Sequence, residues 1–252
     1  MLLHYLSTVE FRVTPLNFDR SWVNFRVASK PDIEGTEPPT NEAPTRGGIT
    51  RQTLLENAAR IADTLQRQTP VDENAATLSG ETVKALEEAG MFRLKLPTVL
   101  GGAEADPSTQ ILVIEALARK NPAAGWCAMV GATSVGLPGA FLAEEAIAEI
   151  FMDGRIPHGA IVATPAGRAE VVAGGYRLSG RRPFASGVRH SEWIGAGAIV
   201  KRNGNLEHRM MVLPTLSAEI HDNWQVACLK VPAVATSRSN GSSCQTSSPG
   251  AG

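Results

Sequence analysis

With 252 residues, 43% hydrophobic and 19% charged, the chain has an ordinary soluble composition and enough length for one or two cores. A formal net charge of −1 and 5% aromatic residues argue against a nucleic-acid surface, an anionic-membrane surface and a base-stacking platform. Cys127, Cys228 and Cys244 are scattered, with no CxxC and no metal-ligand spacing, which fits a reducing, cytoplasmic compartment. The opening MLLHYLSTVEF lacks a basic n-region and a long apolar core, so no secretory signal is expected. No apolar run reaches the roughly 18–20 residues that cross a bilayer.

Residues 1–48 show no sustained period, and 30–48 are rich in Pro, Glu, Thr and Gly, so this stretch reads as a poorly ordered extension. From Ile49 the pattern becomes helical, with Leu54, Leu55, Ala58, Ile61, Ala62 and Leu65 on one face and Thr50 as N-cap. Ser79 caps a second helix over 80–89, closed by Gly90 in the left-handed position. Phe92, Leu94 and Leu96 then alternate up to Pro97. Asp106-Pro107 and Asn121-Pro122 are two cap-plus-proline starts, the second opening an Ala/Gly-rich helix to about Thr133 that lets other backbones approach. A fifth helix over 143–152 completes a helical domain, 49–156. After Pro157 the period changes to that of strands: 160–162, 169–172, 176–178, 192–200 and 209–213, with turn signals at Gly174-Gly175 and Asn203-Gly204. The class is α+β, a helical domain followed by an antiparallel, barrel-like β domain over 157–230, with 231–252 as a tail.

Two phrases carry a resemblance. One is KALEEAGMFRLKLPTVLGG, Lys84 to Gly102, followed by IEALARKNPAAGW; the other is GGYRLSGRRPFASGVRHSEW, Gly174 to Trp193. In this order and spacing they resemble the acyl-CoA dehydrogenase superfamily, over roughly residues 50–230. The wording is closer to the flavin-dependent monooxygenase branch, the oxygenase components that hydroxylate phenols, than to the dehydrogenases proper. Thr164-Pro165-Ala166-Gly167-Arg168-Ala169 lacks the acidic pair of the dehydrogenases, and Phe184-Ala185-Ser186-Gly187 resembles that branch's PFASG loop. Arg182 departs from the branch, which usually has Trp there.

The resemblance implies a flavin cofactor, FMN or FAD, with Ser186 at flavin N5 in place of the alternative, an ordinary hairpin serine. Small Ala185 and Gly187 would let the backbone approach the ring. Phe184 would be the ring's apolar neighbour or a core phenylalanine, and Thr164 would sit on the second flavin loop or merely end a strand. Arg168 and Arg189 could hold a flavin phosphate or be solvated surface arginines. His190 is a weak acid–base candidate against a structural histidine. Trp126 fills the helical core or borders the substrate cavity. No metal is expected. For a monooxygenase the implied partners are a separate flavin reductase and an aromatic substrate, with reduced flavin and oxygen supplying the chemistry. For a dehydrogenase the substrate is an acyl-CoA thioester. A third reading is a non-catalytic remnant or interaction module.

Full-length members are homo-oligomers and add a C-terminal four-helix bundle, whereas here only VPAVATSRSNGSSCQTSSPGAG follows Lys230. A flexible Ser/Gly tail is one account. The preferred one is a frame shift: with one G restored after the Lys230 codon, permitted codons read GTGSCDVEVKRLFVPD, a phrase of the family's form. On that expectation the chain is truncated, binds flavin weakly and is inactive as written.

Overall fold

The computed structural model describes residues 48–172, 175–202 and 204–221, together with the two-residue strands Glu10–Phe11 and Ser243–Cys244. The expectations of a poorly ordered start and a frame-shifted tail otherwise fall outside the described residues.

Local capping chemistry sets the helix starts. Thr50, Ser79, Asp106 and Asn121 each accept a backbone N–H from the first turn of the helix they open. The helices are α1 (Arg51–Arg60), α2 (Ala62–Ala75), α3 (Gly80–Glu88), α4 (Pro107–Ala118), α5 (Pro122–Phe141) and α6 (Glu144–Ile150). There are therefore six among the described residues where the periodicity suggests five. The first amphipathic stretch breaks at Ile61 and resumes as α2, which runs through Pro70 to Ala75. Its last turn is anchored by buried Asp72, which accepts from the Ser79 N–H at 2.7 Å, the Thr82 hydroxyl at 2.9 Å and the Asn121 amide at 2.8 Å. This carboxylate ties α2, α3 and α5 together. A second polar knot joins α1 to α4, where buried Arg51 donates to Thr109 and Ser108 and faces Asp106 at 3.5 Å. Burial opposes the shift, but bonds from Ser108 and Thr109 and the Arg51 charge hold the Asp106 carboxyl well below the usual range.

The alternation of Phe92, Leu94 and Leu96 is not a strand. Gly90 is left-handed, with φ 76°, and Met91–Arg93 turn as a 3₁₀ helix, so these side chains enter the core from a tight turn. Helix α5 extends beyond Thr133 to Phe141 because its glycines seat it against its neighbours. A Cβ on Gly125 would fall 2.7 Å from Ala118 Cβ, one on Gly131 2.7 Å from Phe92 Cδ1, and one on Gly136 2.8 Å from Lys95 Cβ.

Strand β1 (Glu10–Phe11) pairs with β6 (Ala218–Glu219). The main sheet has the order β5 (Asn205–Pro214), β4 (Trp193–Arg202), β2 (Gly159–Val172), β3 (Gly175–Gly180), β7 (Ser243–Cys244). It is mixed, which corrects the antiparallel expectation: β2 and β4 run parallel, Gly159 opposite Trp193. The reason is topological. β3 returns along one side of β2, and the chain then crosses to the other side before β4 begins, so β4 must run the same way as β2. The segments 160–162 and 169–172 are one strand, interrupted by a bulge between Val162 and Gly167.

The helical core centres on Leu65, Leu86, Met91, Val113 and Leu117. The sheet has its own core, with Leu178, Ala185, Val188, Ile194 and Met211. A third cluster of Leu96, Val135, Ile150, Phe151 and Val212 joins the two. None of the described helices is long and apolar enough to cross a membrane.

Candidate functional site

The crossover segment 181–192 is where the sheet and helices meet. β3 ends with Gly180 opposite Gly167, and β4 starts with Trp193 opposite Gly159. The crossover must therefore travel back along the first half of β2, the half against which α5 packs. The fit is tight, since a Cβ on Gly159 would lie 3.0 Å from Ser134 Cβ of α5.

Phe184, Ala185, Ser186 and Gly187 occupy the middle of this segment. Ala185 is fully buried in the sheet core and its carbonyl accepts from Val188 N–H at 3.2 Å. Gly187 has φ 80° and its carbonyl accepts from His190 N–H at 3.2 Å and Ser191 Oγ at 2.8 Å. Phe184 also lies in the left-handed region, φ 64°, with half of its surface exposed. A bulky residue there is strained, so the loop shape is imposed by its surroundings. Ser186 is buried, and its hydroxyl accepts a 3.0 Å hydrogen bond from the Trp126 indole of α5. Among the described residues neither the Ser186 hydroxyl proton nor its backbone N–H has an acceptor. Trp126 keeps 39% of its surface exposed, so it does not simply fill the helical core.

The structure thus brings Trp126 to the Ser186 loop, a link across 60 residues that no local signal announces. Thr164 is exposed in the β2 bulge. The bulge passes over β4, and a Cβ on Gly197 would meet the Thr164 carbonyl at 2.8 Å and that of Ala163 at 2.2 Å. Arg168 is exposed further along β2, opposite Ser179, and is not joined to the loop by any hydrogen bond among the described residues. Arg189 is exposed on the far side of the loop. There it lines, with Lys84, Glu87, Arg93 and His190, a cleft of about 960 Å³ beside α3.

His190 packs beside the Gly187 backbone. Its ring lies 6.3 Å from those of Phe92 and His158, and its Nε2 is 3.1 Å from where a Gly187 Cβ would be. Burial, with the neighbouring His158 charge second, lowers its pKa to about 4, so it is neutral near pH 7. His158 Nδ1 pairs with the His190 carbonyl at 3.2 Å. Glu192 accepts from Arg155 and from the His158 N–H, and the Arg155 bond, with burial opposing it, lowers its pKa. This staple fixes the end of the crossover.

Arg182 begins the crossover and is fully buried. Its Nε donates to the Gly197 carbonyl at 2.9 Å and its Nη1 approaches the Gly180 carbonyl at 3.4 Å. Its Nη2 sits 1.8 Å from the position of a Gly167 Cβ, so the guanidinium fills the gap opened by the β2 bulge. The sequence marks this arginine only as a departure from the usual tryptophan; its place in the sheet follows from the bulge.

Residues 50–150 match the family model "Acyl-CoA dehydrogenase, N-terminal domain". The chain is 33% identical to an indole-3-acetate monooxygenase of Pseudomonas putida over 60% of its own length and 39% of that protein. It is 29% identical to the flavin-dependent monooxygenase oxygenase subunit HsaA of Mycobacterium tuberculosis, over 71% of its length and 45% of that protein. The crystal structure of the M. tuberculosis HsaA monooxygenase superposes with a TM-score of 0.68 at 25% identity, covering 77% of this chain and 51% of that one. The chain therefore spans about half the length of the relatives it matches.

Proposed function

We propose that this chain, a member of the acyl-CoA dehydrogenase superfamily with that family's N-terminal domain over residues 50–150, is part of a flavin-dependent oxygenase component that hydroxylates an aromatic substrate. The observation that carries the proposal is the Phe184–Gly187 loop. It offers a buried hydroxyl and a backbone N–H together, both without acceptors among the described residues, between two half-exposed aromatic side chains. That donor set fits the polar edge of an isoalloxazine ring. The monooxygenase names of the relatives support the same reading.

A bound reduced flavin would supply the electrons and the site of oxygen activation. The chain's own residues bind and orient it. Ser186 would offer its O–H and N–H to the polar edge of the ring, Ala185 anchors the loop in the sheet core, and Phe184 and Trp126 would cover apolar surface and keep water away. Thr164, exposed in the β2 bulge, would meet the flavin from a second loop, and Arg168, exposed further along β2, would take a phosphate. His190, half-buried and neutral near pH 7, serves packing better than proton transfer. A separate reductase would deliver the reduced flavin.

The test is titration of the chain with FMN and FAD, followed by an NADH-driven assay with an added flavin reductase and phenolic substrates. A parallel assay uses acyl-CoA with an artificial electron acceptor. Flavin binding with consumption of phenol supports the proposal; turnover of acyl-CoA instead moves the chain to the dehydrogenases, and absence of binding leaves an interaction module.

A further inference from the structure

We infer that Lys95 is a specificity-determining residue, placed to hold the carboxylate of an aromatic substrate whose ring lies against Trp126. The inference rests on reading the Trp126 face of α5 as the substrate side of the proposed site. Helix α5 carries no charged residue, and from Trp126 to Leu137 all of it is buried except Trp126, Met129, Val130, Thr133 and Leu137. Those positions recur at helical spacing, so they form a single uncovered stripe. Trp126 and Thr133 stand two turns apart on it, about 10 Å along the axis.

Lys95 reaches this stripe from outside the helix. Its Nζ donates to Thr133 Oγ1 at 2.6 Å. Thr133 gives its own hydroxyl proton to the Met129 carbonyl at 2.9 Å, so it meets the lysine as an acceptor. An ammonium has three N–H groups. Among the described residues Thr133 alone receives one from Lys95, and no carboxylate pairs with it. Lys95 is half-buried, and that burial lowers its pKa from the ordinary lysine value. A partly desolvated cation with two unspent donors is matched by an anion.

The root of the side chain is fixed. Leu94 and Leu96 on either side are buried, and a Cβ on Gly136 would lie 2.8 Å from Lys95 Cβ. Thr133 then sets the direction of the ammonium, as a supporting neighbour sets a site atom. The stripe thus offers an aromatic surface, 39% exposed, at one end and a held cation further along, with apolar Met129 and Val130 between them. A ring against the indole, with a short carboxyl-bearing chain along Met129 and Val130, fits that order. The carboxylate would take the two remaining N–H groups of Lys95. A neutral group of the same shape would leave the ammonium without its counter-charge, and that difference is the source of discrimination.

The measurement is calorimetric titration of the full chain near neutral pH, with and without FMN. The probes are 4-hydroxyphenylacetate and its neutral amide, 4-hydroxyphenylacetamide. The wild type, Lys95→Met, Lys95→Arg and Thr133→Val are compared, with thermal melts to confirm folding. The expected result is roughly tenfold tighter binding of the carboxylate than of the amide by the wild type. Lys95→Met should lose that preference with its affinity for the amide unchanged, Lys95→Arg should keep most of it, and Thr133→Val should fall between. A wild type that binds both probes equally, or neither, overturns the inference, as does a preference that survives in Lys95→Met. The wild-type comparison needs no variant, so poor folding of Lys95→Met does not shield the inference. The FMN arm separates the two readings. Flavin binding without a carboxylate preference overturns the inference alone and leaves the proposed function standing. A carboxylate preference without flavin binding supports the anion site, while the flavin reading of the Ser186 loop fails.

Discussion

Three single residues hold more than their size suggests, and each makes a measurable claim. Asp72 is a buried carboxylate on α2 with three donors from the starts of two other helices, α3 and α5. Asp72→Ala removes the acceptor of the Ser79 N–H and the Thr82 hydroxyl, leaves the Asn121 amide only the Leu65 carbonyl, and should destabilise the chain by about 3 kcal/mol, read as a lower urea midpoint. Gly167 faces the Arg182 guanidinium at 1.8 Å from its would-be Cβ. Gly167→Ala should therefore displace Arg182, widen the β2 bulge and lower the melting temperature, while Gly48→Ala, with open space around it, should cost only its backbone strain of about 1 kcal/mol. His190 has its folded pKa lowered to about 4, from an ordinary value of 6.5. Above pH 6.5 it is neutral in both states and imposes no penalty. As pH falls below 6.5 the unfolded chain takes up a proton that the folded chain resists, so stability drops until about pH 4, by roughly 3 kcal/mol in all. Urea titrations at pH 7.5 and 4.5 should show this slope, and His190→Gln should flatten it.

Elements were legible in the sequence where their cause is local. The caps at Thr50, Ser79, Asp106 and Asn121 and the left-handed Gly90 involve atoms within a few residues, and the chemistry can be read directly. The end of α5 was not, because nothing between Thr133 and Phe141 signals that its glycines will meet Lys95 and Leu96. Nor was the parallel pairing of β2 with β4, since alternation fixes which face of a strand is buried but not which neighbour it takes. The Ser186 loop was legible as a loop of small residues. Its partner Trp126 stands out in the sequence only on its own, since their bond spans two elements and needs the packed interface to exist. Glycine is the decisive element-scale residue in α5: Gly131→Val would drive a branched side chain into the Phe92 ring, 2.7 Å from the first added carbon. The variant should lose the α5 seat and, with it, the Trp126–Ser186 contact. Near-ultraviolet circular dichroism would register the loss as a weakened tryptophan signal.

At the scale of the whole molecule, the bridging cluster of Leu96, Val135, Ile150, Phe151 and Val212 makes the helices and the sheet interdependent. Leu96 is fully buried in that cluster. Leu96→Ala should cost about 3 kcal/mol and shift one calorimetric transition, not split it into two. Two separated transitions would mean that the halves unfold independently.

The parallel pairing of β2 and β4 also sets an order of events. The β2–β3 pair joins neighbours in sequence, Val172 opposite Gly175, but β4 cannot reach β2 until the chain has returned along it through residues 181–192. Ordering that length of chain precedes any reward from the ladder, so the pairing belongs to the slow end of folding. Pulse-labelling during refolding should therefore find the amides of α1 to α5 protected early and those of β4 late. Ser186 lies inside the returning stretch. The molecule acquires its candidate site in the same late event that completes its sheet, and any sequence change that delays the crossing delays the appearance of the site with it.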